Sequence, residues 1–421
     1  MDQALVPGLA VAVIQNGRTA SVRSFGVADT RDGRPVTAET VFEAASLGKP
    51  VLGYGVLKLA AAGRIDLDAP LVRYAPALAK DPTSPLARIT ARHVLAHRSG
   101  LPNQSGGAPS AGFEPGTRFS YSGEGFLQLQ TVVEAITGEP LERYMAREVF
   151  APLGMTRTSF VWRDDYAALK AAGHDRTGAF AGRTRTRRAR AHASLETTAG
   201  DYARFVTAVL NDEGLPAGSL ARLVASAQPV EEGCVVCLDG PARPPSNSVS
   251  WSLGWGVASG PDGPWLWHWG DNGTAQSYVA ASPESRRGVV MFANSANGQA
   301  IFPALAEAAL EAPAPGYAWL SVYERHDAPS RRLLRALVRG GSEATESALQ
   351  AVSPAETRTV AGWLLRRRPV EAARLYRRLA PLGRADDHAG LAEALRRSGD
   401  PAGARAALAR AFALEPGDRT A

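Results

Sequence analysis

The sequence predicts a mixed α and β domain that is followed by an all-helical region. Before residue 315, short apolar runs such as "LAVAVIQNG" and "RGVVMFANSA" are typical of strands and alternate with longer stretches of helical periodicity. After "EAPAPGYAWL", the chain is rich in Ala, Leu and Arg and almost lacks β-branched runs, which favours helices. We therefore predict a first domain over residues 1–315 and a helical C-terminal domain over residues 316–421.

The stretch "EGFLQLQTVVEAITG" shows the helical pattern of the first domain. Its apolar residues Phe126, Leu129 and Val133 recur at the spacing that brings them to one face of an α-helix. Gly138 follows at the position where a glycine commonly ends a helix. The stretch therefore predicts an amphipathic helix that ends beside this glycine.

The helical tail contains an internal repeat. Residues 366–383 and 397–418 superpose at an offset of 32 residues, which pairs Pro369 with Pro401. Helical-hairpin repeats have similar periods, and the second copy resembles the latter half of a tetratricopeptide repeat. Because the first copy matches poorly and a stable stack normally needs three repeats, a C-terminal helical bundle is the alternative.

Composition and charge exclude several function classes. The chain has 421 residues, and 45% of them are hydrophobic, which is enough for a substantial core. Its net charge of +6 comes mostly from dispersed arginines, so nucleic acid binding is not expected. The densest basic cluster, "GRTRTRRAR" at residues 182–190, is more typical of an exposed loop than of an anion-binding patch.

Neither a membrane span nor a leader is expected. No run approaches the roughly 20 apolar residues that a membrane-spanning helix requires. The N-terminus "MDQALVPGLAVAVIQNG" lacks a cationic region followed by a long apolar one. The compartment stays open: the chain is cytoplasmic if it is complete, and periplasmic or secreted if it is a trimmed mature form.

The cysteines and three histidines are expected to be structural. Cys234 and Cys237, in "EEGCVVCLDG", lack both the strand-to-helix context of a redox pair and the further ligands that zinc requires. We expect two thiols or a local disulfide in a loop. His97 is expected to hold the loop after a helix. His174 and His192 have no acidic or cysteine partner at metal-ligand spacing, so no metal site is predicted.

A serine and a lysine three positions apart are candidates for nucleophilic catalysis. Ser46 and Lys49 lie in "FEAASLGKP", where a helix is predicted to begin, and residues three apart share one face of a helix. A serine hydroxyl needs a nearby proton acceptor, and burial lets a lysine lose its proton. The helix N-terminus would favour an oxyanion near Ser46. Taken alone, the pattern is equally typical of an N-cap serine with a solvated lysine.

Further segments carry a family resemblance. "ITARHVLAHRSGLPN", "FEPGTRFSYSGEGF" and "VFAPLGMTRTSF" follow in order, together with "PGLAVAVIQNG" and "GRIDLDAP". With the Ser-x-x-Lys pattern they resemble the serine β-lactamase and penicillin-binding protein superfamily over roughly residues 6 to 300. The closest likeness is to its class C branch, which includes family VIII carboxylesterases and D-amino-acid-specific peptidases. The resemblance implies an antiparallel sheet flanked by helices, with an all-helical subdomain.

The resemblance implies roles for the first two active-site elements. Ser46 and Lys49 are implied to be the nucleophile and its base partner. Tyr121 matches the tyrosine of the Tyr-x-Asn element and is implied to exchange a proton with the Ser46 oxygen; without the motif it would be interpreted as a core tyrosine. Gly123 replaces the usual asparagine of that element, which in the family helps to bind the acyl-side amide of β-lactams and peptides.

The third element falls in "WLWHWGDNGTAQS". His268, Trp269 and Gly270 match the family's His-x-Gly or Lys-Thr-Gly strand. The match implies that His268 is one of the catalytic residues and that the strand edge at Trp269 and Gly270 binds substrate. The backbone N–H of Asp271 is implied to join that of Ser46 in an oxyanion hole. A packed strand histidine is the alternative interpretation of His268, because tryptophans surround it in the sequence.

These assignments predict a serine hydrolase that works through an acyl-enzyme on Ser46, without a metal or organic cofactor. A small ester, amide or peptide is the expected partner, and ester hydrolysis is favoured because Gly123 and His268 depart from true β-lactamases. A β-lactamase, a D-Ala carboxypeptidase or an acyl transferase is the alternative. An alternative from another class is an inactive penicillin-recognising fold whose C-terminal helices bind a protein partner.

Overall fold

Residues 1–415 are described by the computed structural model, so the end of the second repeat copy, residues 416–418, lies outside the described residues. Their strands are β1 Gly8–Gln15, β2 Arg18–Gly26, β3 Phe42–Ala45, β4 Gly173–His174, β5 Phe180–Gly182, β6 Leu195–Thr197, β7 Gln228–Glu231, β8 Pro245–Trp251, β9 Gly256–Gly260, β10 Gly263–Asp271, β11 Gln276–Ala281 and β12 Gly288–Ala293. Eight of them form one antiparallel sheet in the order β2-β1-β12-β11-β10-β9-β8-β7. Strands β3 and β6 form a separate antiparallel pair, and so do β4 and β5.

Helices cover the sheet and make up the C-terminal region. They are α1 Gly48–Ala61, α2 Ala91–Leu95, α3 Gly123–Thr137, α4 Leu141–Met145, α5 Tyr166–Leu169, α6 Ala199–Leu210, α7 Ser219–Ala225, α8 Gly298–Leu310, α9 Pro329–Arg339, α10 Ser342–Gln350, α11 Pro354–Leu364, α12 Pro369–Leu379, α13 Ala385–Arg397 and α14 Pro401–Leu414. No helix within residues 1–415 is both long enough and apolar enough to cross a membrane. The predicted fold class, an antiparallel sheet flanked by helices with further C-terminal helices, is confirmed.

The central strands of the sheet are apolar because both faces of the sheet are covered. Every residue of β11 and β12 is buried, although successive side chains of a strand point to opposite faces. Helix α6 packs against β1, β2 and β12, and α8 packs against β11 and β12. The run "RGVVMFANSA" therefore reads as a continuous apolar strand instead of an alternating one.

The helix predicted from its apolar spacing is α3. Phe126, Leu129 and Val133 are buried in the main core, as the helical periodicity requires. Gly138 ends the helix with a left-handed φ of 73°, a conformation that glycine adopts without the steric cost of a Cβ. Ser122 is the N-cap, and its hydroxyl accepts a hydrogen bond from the Gly125 N–H.

The chain forms two compact units. The sheet unit comprises Val6–His174 and Phe180–Tyr323, and the helical unit comprises Met1–Leu5, Asp175–Ala179 and the residues from Glu324 onward. The predicted domain boundary near residue 315 therefore precedes the division between the units. That the units are separate domains remains a prediction.

Residues 316–323 belong to the sheet unit because aromatic side chains anchor them. The indole N–H of Trp319 donates to the Glu231 carbonyl at 2.9 Å, and its ring packs edge-on against Trp267. The Tyr317 hydroxyl donates to the Gln299 carbonyl at 2.5 Å. The change of composition after residue 315 marks where strands stop, whereas the division between the units follows these contacts.

The helical unit has its own core of leucine and alanine side chains, among them Leu333, Leu364 and Leu375. The two prolines that the repeat pairs, Pro369 and Pro401, occupy the first turns of α12 and α14, where proline is tolerated because its missing N–H has no helical partner. The repeat offset is thus an offset between helix starts. The tetratricopeptide-like assignment remains a prediction.

Candidate active site

Ser46 lies at a sharp turn between β3 and α1. The preceding residue, Ala45, ends β3 with a φ of 52°, a left-handed conformation that costs an alanine about 1–2 kcal/mol. Helix α1 begins two residues after Ser46, at Gly48, with Leu47 as its N-cap and no side-chain capping hydrogen bond. Ser46 is therefore not an N-cap serine. The turn leaves its hydroxyl beside the positive end of the helix dipole.

Lys49 is buried beneath Ser46 and is not solvated. Only 1% of the lysine is exposed, and its Nζ lies 3.0 Å from Ser46 Oγ and 2.9 Å from the His192 carbonyl oxygen. Both hydrogen-bond partners are uncharged. Burial therefore lowers the pKa of the Lys49 amine well below its usual value, because nothing nearby compensates the desolvated charge. The alternative of a capped turn with a solvated lysine is wrong.

Tyr121 lies on the other side of the same amine. Lys49 Nζ is 4.7 Å from the centre of the Tyr121 ring. The backbone N–H of Tyr121 donates to the Val235 carbonyl at 2.9 Å. Burial raises the pKa of the Tyr121 hydroxyl well above its usual value, and the nearby Ser46 hydroxyl opposes that shift. Within the described part of the chain, the Tyr121 hydroxyl is buried without a hydrogen bond of ordinary length. This phenol is neutral at physiological pH.

Three histidines surround the lysine and are also uncharged. Burial, with a smaller contribution from the charge that Lys49 carries when protonated, lowers the pKa of His268 and of His192 to about 3. Burial likewise lowers the pKa of His97 well below its usual value. His97 Nδ1 accepts a hydrogen bond from the Ser122 N–H at 3.0 Å, so this ring holds the turn that carries Tyr121.

His268 lies behind the cavity wall and does not reach its surface. Its ring is fully buried and stacks 5.4 Å from Trp269, and its Nδ1 is 2.7 Å from the Trp269 carbonyl oxygen. The ring centre is 6.2 Å from that of Tyr121. A packed, neutral histidine thus takes the position where the family's strand element often has a lysine.

Gly270 allows strand β10 to approach the serine turn. A Cβ built on Gly270 would lie 2.5 Å from the Ala44 carbonyl oxygen and 3.1 Å from Ala45 Cβ, closer than real side chains pack. The same Ala44 carbonyl accepts a hydrogen bond, at 2.7 Å, from Ser277 Oγ on the neighbouring strand β11. Only glycine fits at position 270, one residue before Asp271.

The backbone N–H of Asp271 points away from β11. In an antiparallel pair, alternate residues bond to the same neighbour, and the Asn272 N–H donates to the Ala275 carbonyl at 3.1 Å. The Asp271 N–H is therefore directed to the opposite edge of β10, where the pairing with β9 extends only as far as Trp267. Strand β10 comes so close to the serine turn that a Cβ built on Gly270 would lie 3.1 Å from Ala45 Cβ. The N–H groups of Asp271 and Ser46 each follow one of these two neighbouring residues.

Side-chain hydrogen bonds hold this end of β10 in place. The Asp271 carboxylate accepts hydrogen bonds from Gln276 Nε2 at 2.8 Å and from the Tyr323 hydroxyl at 3.1 Å. Glu43, three residues before the serine, accepts hydrogen bonds from the Asn272 amide and, at 2.7 Å, from the Thr184 hydroxyl. The end of β10 and the loop at Thr184 are thus tied to β3.

These residues line one cavity of about 810 Å³ within the sheet unit. Of the predicted site residues, its wall includes Ser46, Lys49, Tyr121, Trp269 and Asp271. Gly270 and His268 lie behind that wall. The structure therefore brings the three predicted elements together around one space.

Gly123 does not line the cavity because Asn103 lies in front of it. A Cβ built on Gly123 would be 2.5 Å from the Asn103 carbonyl oxygen and 3.2 Å from its side-chain Oδ1. Asn103 and Gln104 are on the cavity wall instead. The space that an asparagine at position 123 would need is therefore occupied.

The rim of the cavity is partly apolar. Val236 is 51% exposed and Val322 is 69% exposed, which is unusual for large aliphatic side chains, and both line the cavity. Val236 lies in the loop closed by the Cys234–Cys237 disulfide. Of the two expected states, two thiols or a local disulfide, the structure has the disulfide, which closes a loop at the cavity rim.

Several wall residues were missed by sequence reasoning. Asn103, Arg190 and His192 were not predicted as site residues, although Asn103 ends the quoted segment "ITARHVLAHRSGLPN". His192 contributes to the lysine site through its carbonyl oxygen, which no side-chain pattern reveals. Arg190 is exposed and lines the cavity, although its cluster was interpreted as a solvated loop. The signal for Asn103 was the glycine at position 123, read together with the loop sequence "GLPNQ".

Comparison with known proteins supports the resemblance to β-lactamases that the sequence motifs carry. The beta-lactamase family profile matches residues 1–314. A beta-lactamase from Pseudomonas fluorescens is 30% identical over 191 residues, which cover 42% of this chain and 52% of that protein. Esterase EstB from Burkholderia gladioli is 32% identical over 198 residues, which cover 38% of this chain and 50% of that protein. The chain thus spans about half the length of these curated relatives.

A solved structure shares the fold. The D-alanine carboxypeptidase AmpC from Burkholderia cenocepacia superposes with a TM-score of 0.58 at 22% sequence identity, covering 70% of this chain and 90% of that one. At this identity the match supports the fold alone.

Proposed function

The chain belongs to the beta-lactamase family, whose members include serine hydrolases named as esterases, beta-lactamases and carboxypeptidases, and we propose that it hydrolyses a small ester through an acyl-enzyme on Ser46. The observation that carries the proposal is the 3.0 Å contact between Ser46 Oγ and the buried amine of Lys49. Because burial lowers its pKa, the Lys49 amine loses its proton more readily, and the unprotonated amine offers its lone pair to the serine hydroxyl.

Lys49 acts as the base in the first step. An uncharged amine has two N–H donors and one lone pair, and the His192 carbonyl accepts one of the N–H groups at 2.9 Å. This hydrogen bond helps to turn the lone pair toward Ser46. As Ser46 Oγ attacks the substrate carbonyl carbon, its proton moves to Lys49, and the carbonyl oxygen becomes an oxyanion.

The oxyanion is stabilised by two backbone N–H groups, those of Ser46 and Asp271. The proposal is supported by the close approach of β10 to the serine turn, since a Cβ built on Gly270 would lie 3.1 Å from Ala45 Cβ, and the two N–H groups each follow one of these residues. The strained turn at Ala45 and the hydrogen bonds of the Asp271 carboxylate fix this arrangement before substrate binds. Such preorganised donors typically contribute about 10²–10³ in kcat each.

Tyr121 delivers the proton to the leaving group. Its raised pKa keeps the phenol protonated, so it serves as a relay and not as a tyrosinate base. The proton accepted by Lys49 replaces the one that Tyr121 gives to the departing alcohol. Water then attacks the acyl-enzyme with the same groups in reversed roles, and the carboxylic acid is released.

Esters are favoured over β-lactams because His268 stands where the family's strand element often has a lysine. Burial lowers the pKa of His268 to about 3, so its ring carries no charge for a substrate carboxylate. The apolar rim at Val236 and Val322 suits an uncharged alkyl or aryl group. A β-lactamase, a D-alanyl carboxypeptidase or an acyl transferase remains the alternative, since each uses the same acyl-enzyme.

A substrate panel tests the proposal. The protein is assayed with p-nitrophenyl esters, a chromogenic cephalosporin and D-alanyl peptides, with Ser46→Ala as the control. We expect the highest kcat/KM with an ester and no turnover above background in the variant. Equal turnover by the variant would contradict the acyl-enzyme, and faster hydrolysis of the cephalosporin would contradict the ester preference.

A further inference from the structure

One part of the cavity wall comes from a segment that follows the matched family domain. The family profile ends at residue 314, and we call residues 315–323 the wall segment. Val322 and Tyr323, at the end of this segment, line the cavity that contains Ser46. The wall of the cavity therefore includes residues from outside the matched domain.

The wall segment is fixed against strands β10 and β11. The Pro315 carbonyl accepts a hydrogen bond from the Tyr278 hydroxyl on β11 at 2.7 Å. Gly316 has a left-handed φ of 73°, and a Cβ built on it would lie 2.1 Å from the ring of Trp267 on β10, so only glycine allows this approach. Trp319 is buried, and its ring centre lies 6.1 Å from that of Trp267. The segment is thus held in place before substrate binds.

Tyr323 holds the side chain of Asp271. Its hydroxyl donates to Asp271 Oδ2 at 3.1 Å, and Gln276 Nε2 donates to the same oxygen at 2.8 Å. The other carboxylate oxygen accepts a hydrogen bond from the Gly273 N–H at 2.7 Å. Three donors therefore fix this carboxylate, and one of them belongs to the wall segment.

Tyr317 acts on the preceding peptide group through Gln299. The Tyr317 hydroxyl lies 2.6 Å from Gln299 Oε1, and Gln299 Nε2 donates to the Gly270 and Ser277 carbonyl oxygens, at 3.0 Å each. Only the NH2 end of an amide can face two carbonyl oxygens, so Oε1 is turned toward Tyr317. The Gly270 carbonyl and the Asp271 N–H belong to one peptide group. A hydrogen bond to the carbonyl polarises that group and strengthens its N–H as a donor.

We propose that Tyr317 and Tyr323 are positioning residues for the oxyanion hole, because they hold the Gly270–Asp271 peptide from two sides. Tyr323 holds the side chain next to the peptide N–H, and Tyr317 holds the peptide carbonyl through Gln299. The wall segment is then a working part of the active site, in addition to the matched domain. This inference rests on the proposed function, because it takes the Asp271 N–H as an oxyanion donor.

The first test removes each hydroxyl alone and measures hydrolysis of p-nitrophenyl butyrate. Tyr323→Phe and Tyr317→Phe should each lower kcat by about 5- to 50-fold and leave KM nearly unchanged, because the oxyanion forms only in the transition state. The loss is smaller than the 10²–10³ typical of a whole oxyanion donor, since other hydrogen bonds still hold the peptide. Tyr166→Phe is the matched control and should keep the wild-type kcat. Its buried hydroxyl donates to the Arg157 carbonyl at 2.9 Å, and neither residue lines the cavity.

A pair of ketone inhibitors separates positioning from a general loosening of the fold. With an aryl trifluoromethyl ketone, Ser46 Oγ adds to the carbonyl carbon, its proton moves to Lys49, and the carbonyl oxygen becomes an oxyanion in the hole. The matching methyl ketone is too weak an electrophile for this addition and binds intact. Both tyrosine variants should therefore raise the Ki of the trifluoromethyl ketone by about the factor that kcat loses, and should leave the Ki of the methyl ketone at its wild-type value.

Wild-type kcat in Tyr323→Phe or in Tyr317→Phe would overturn the inference. So would an equal rise of Ki for both ketones, or a loss of kcat in Tyr166→Phe as large as theirs, because either result indicates a general loosening. In each of these cases an inactive Ser46→Ala variant leaves the proposed function standing. If Ser46→Ala still hydrolyses the ester at the wild-type rate, the proposed function fails and the inference fails with it.

Discussion

At the scale of single residues, the chemistry of the site depends on how Lys49 is buried. The side chain contacts a serine hydroxyl, a backbone carbonyl and aromatic rings, and the three neighbouring histidines have pKa values lowered by burial. A charged lysine in this environment would be poorly solvated. The spacing of Ser46 and Lys49 predicts their contact, whereas the protonation state of the lysine follows only from side chains far away in the sequence.

We predict that Lys49→Ala and Tyr121→Phe each lower kcat/KM for an ester by about 10²–10⁴, the span typical of a lost general acid or base. Both side chains are buried, so each variant is also checked by urea unfolding. Near-native rates in either variant, at unchanged stability, would show that the base had been assigned to the wrong group.

The same assignment predicts a pH dependence. The reaction requires unprotonated Lys49, whose pKa in the folded protein lies well below 10.5. The value of kcat/KM should therefore rise as the pH increases through the lowered pKa and should level off above it. The pH profile of kcat/KM for a neutral ester measures this, since such a substrate does not titrate. A rate that falls with increasing pH over this range would contradict the role of Lys49.

At the scale of elements, the site depends on how closely β10 approaches the turn between β3 and α1. The Ser277 hydroxyl donates to the Ala44 carbonyl, and a Cβ built on Gly270 would clash with the same oxygen. Glu43 on β3 accepts a hydrogen bond from Asn272 just after β10 ends. These contacts join the strand that offers the Asp271 N–H to the strand that offers Ser46.

We predict that Gly270→Ala lowers kcat for an ester by about 10²–10³, the cost of losing one oxyanion donor. The added Cβ must push β10 away from Ala44, so the Asp271 N–H moves while Ser46 and Lys49 stay in contact. Gly107→Ala is the matched control, since a Cβ there meets no atom within 4 Å. Wild-type kcat in Gly270→Ala would contradict the placement of the oxyanion hole.

At the scale of the whole molecule, sequence patterns predicted the fold class and much of the site. Helical periodicity identified α3, apolar runs identified β1 and β12, and three short motifs identified Ser46, Tyr121 and the end of β10. Each of these signals is local in the chain. The repeat paired Pro369 with Pro401, and the structure places both in the first turns of helices, α12 and α14.

The remaining features of the site could not be predicted from the sequence because they arise from contacts between distant segments. Asn103 meets Gly123 only when the loop after α2 is fastened to α3, and His192 acts through a backbone oxygen that any residue would supply. The division after Tyr323 follows from the packing of Trp319, which composition does not show. Pairwise geometry of this kind leaves no periodic or compositional signal.

The central claim, that Ser46 is the nucleophile of an acyl-enzyme, is tested most directly by covalent labelling. The protein is treated with a fluorophosphonate probe, which forms a stable adduct with an activated serine, and is then digested and analysed by mass spectrometry, with Ser46→Ala and Lys49→Ala in parallel. We predict one adduct per chain on the peptide that contains Ser46, no adduct in Ser46→Ala, and much slower labelling in Lys49→Ala. Labelling of Ser46→Ala to the wild-type extent, or an adduct on a different serine, would contradict the account.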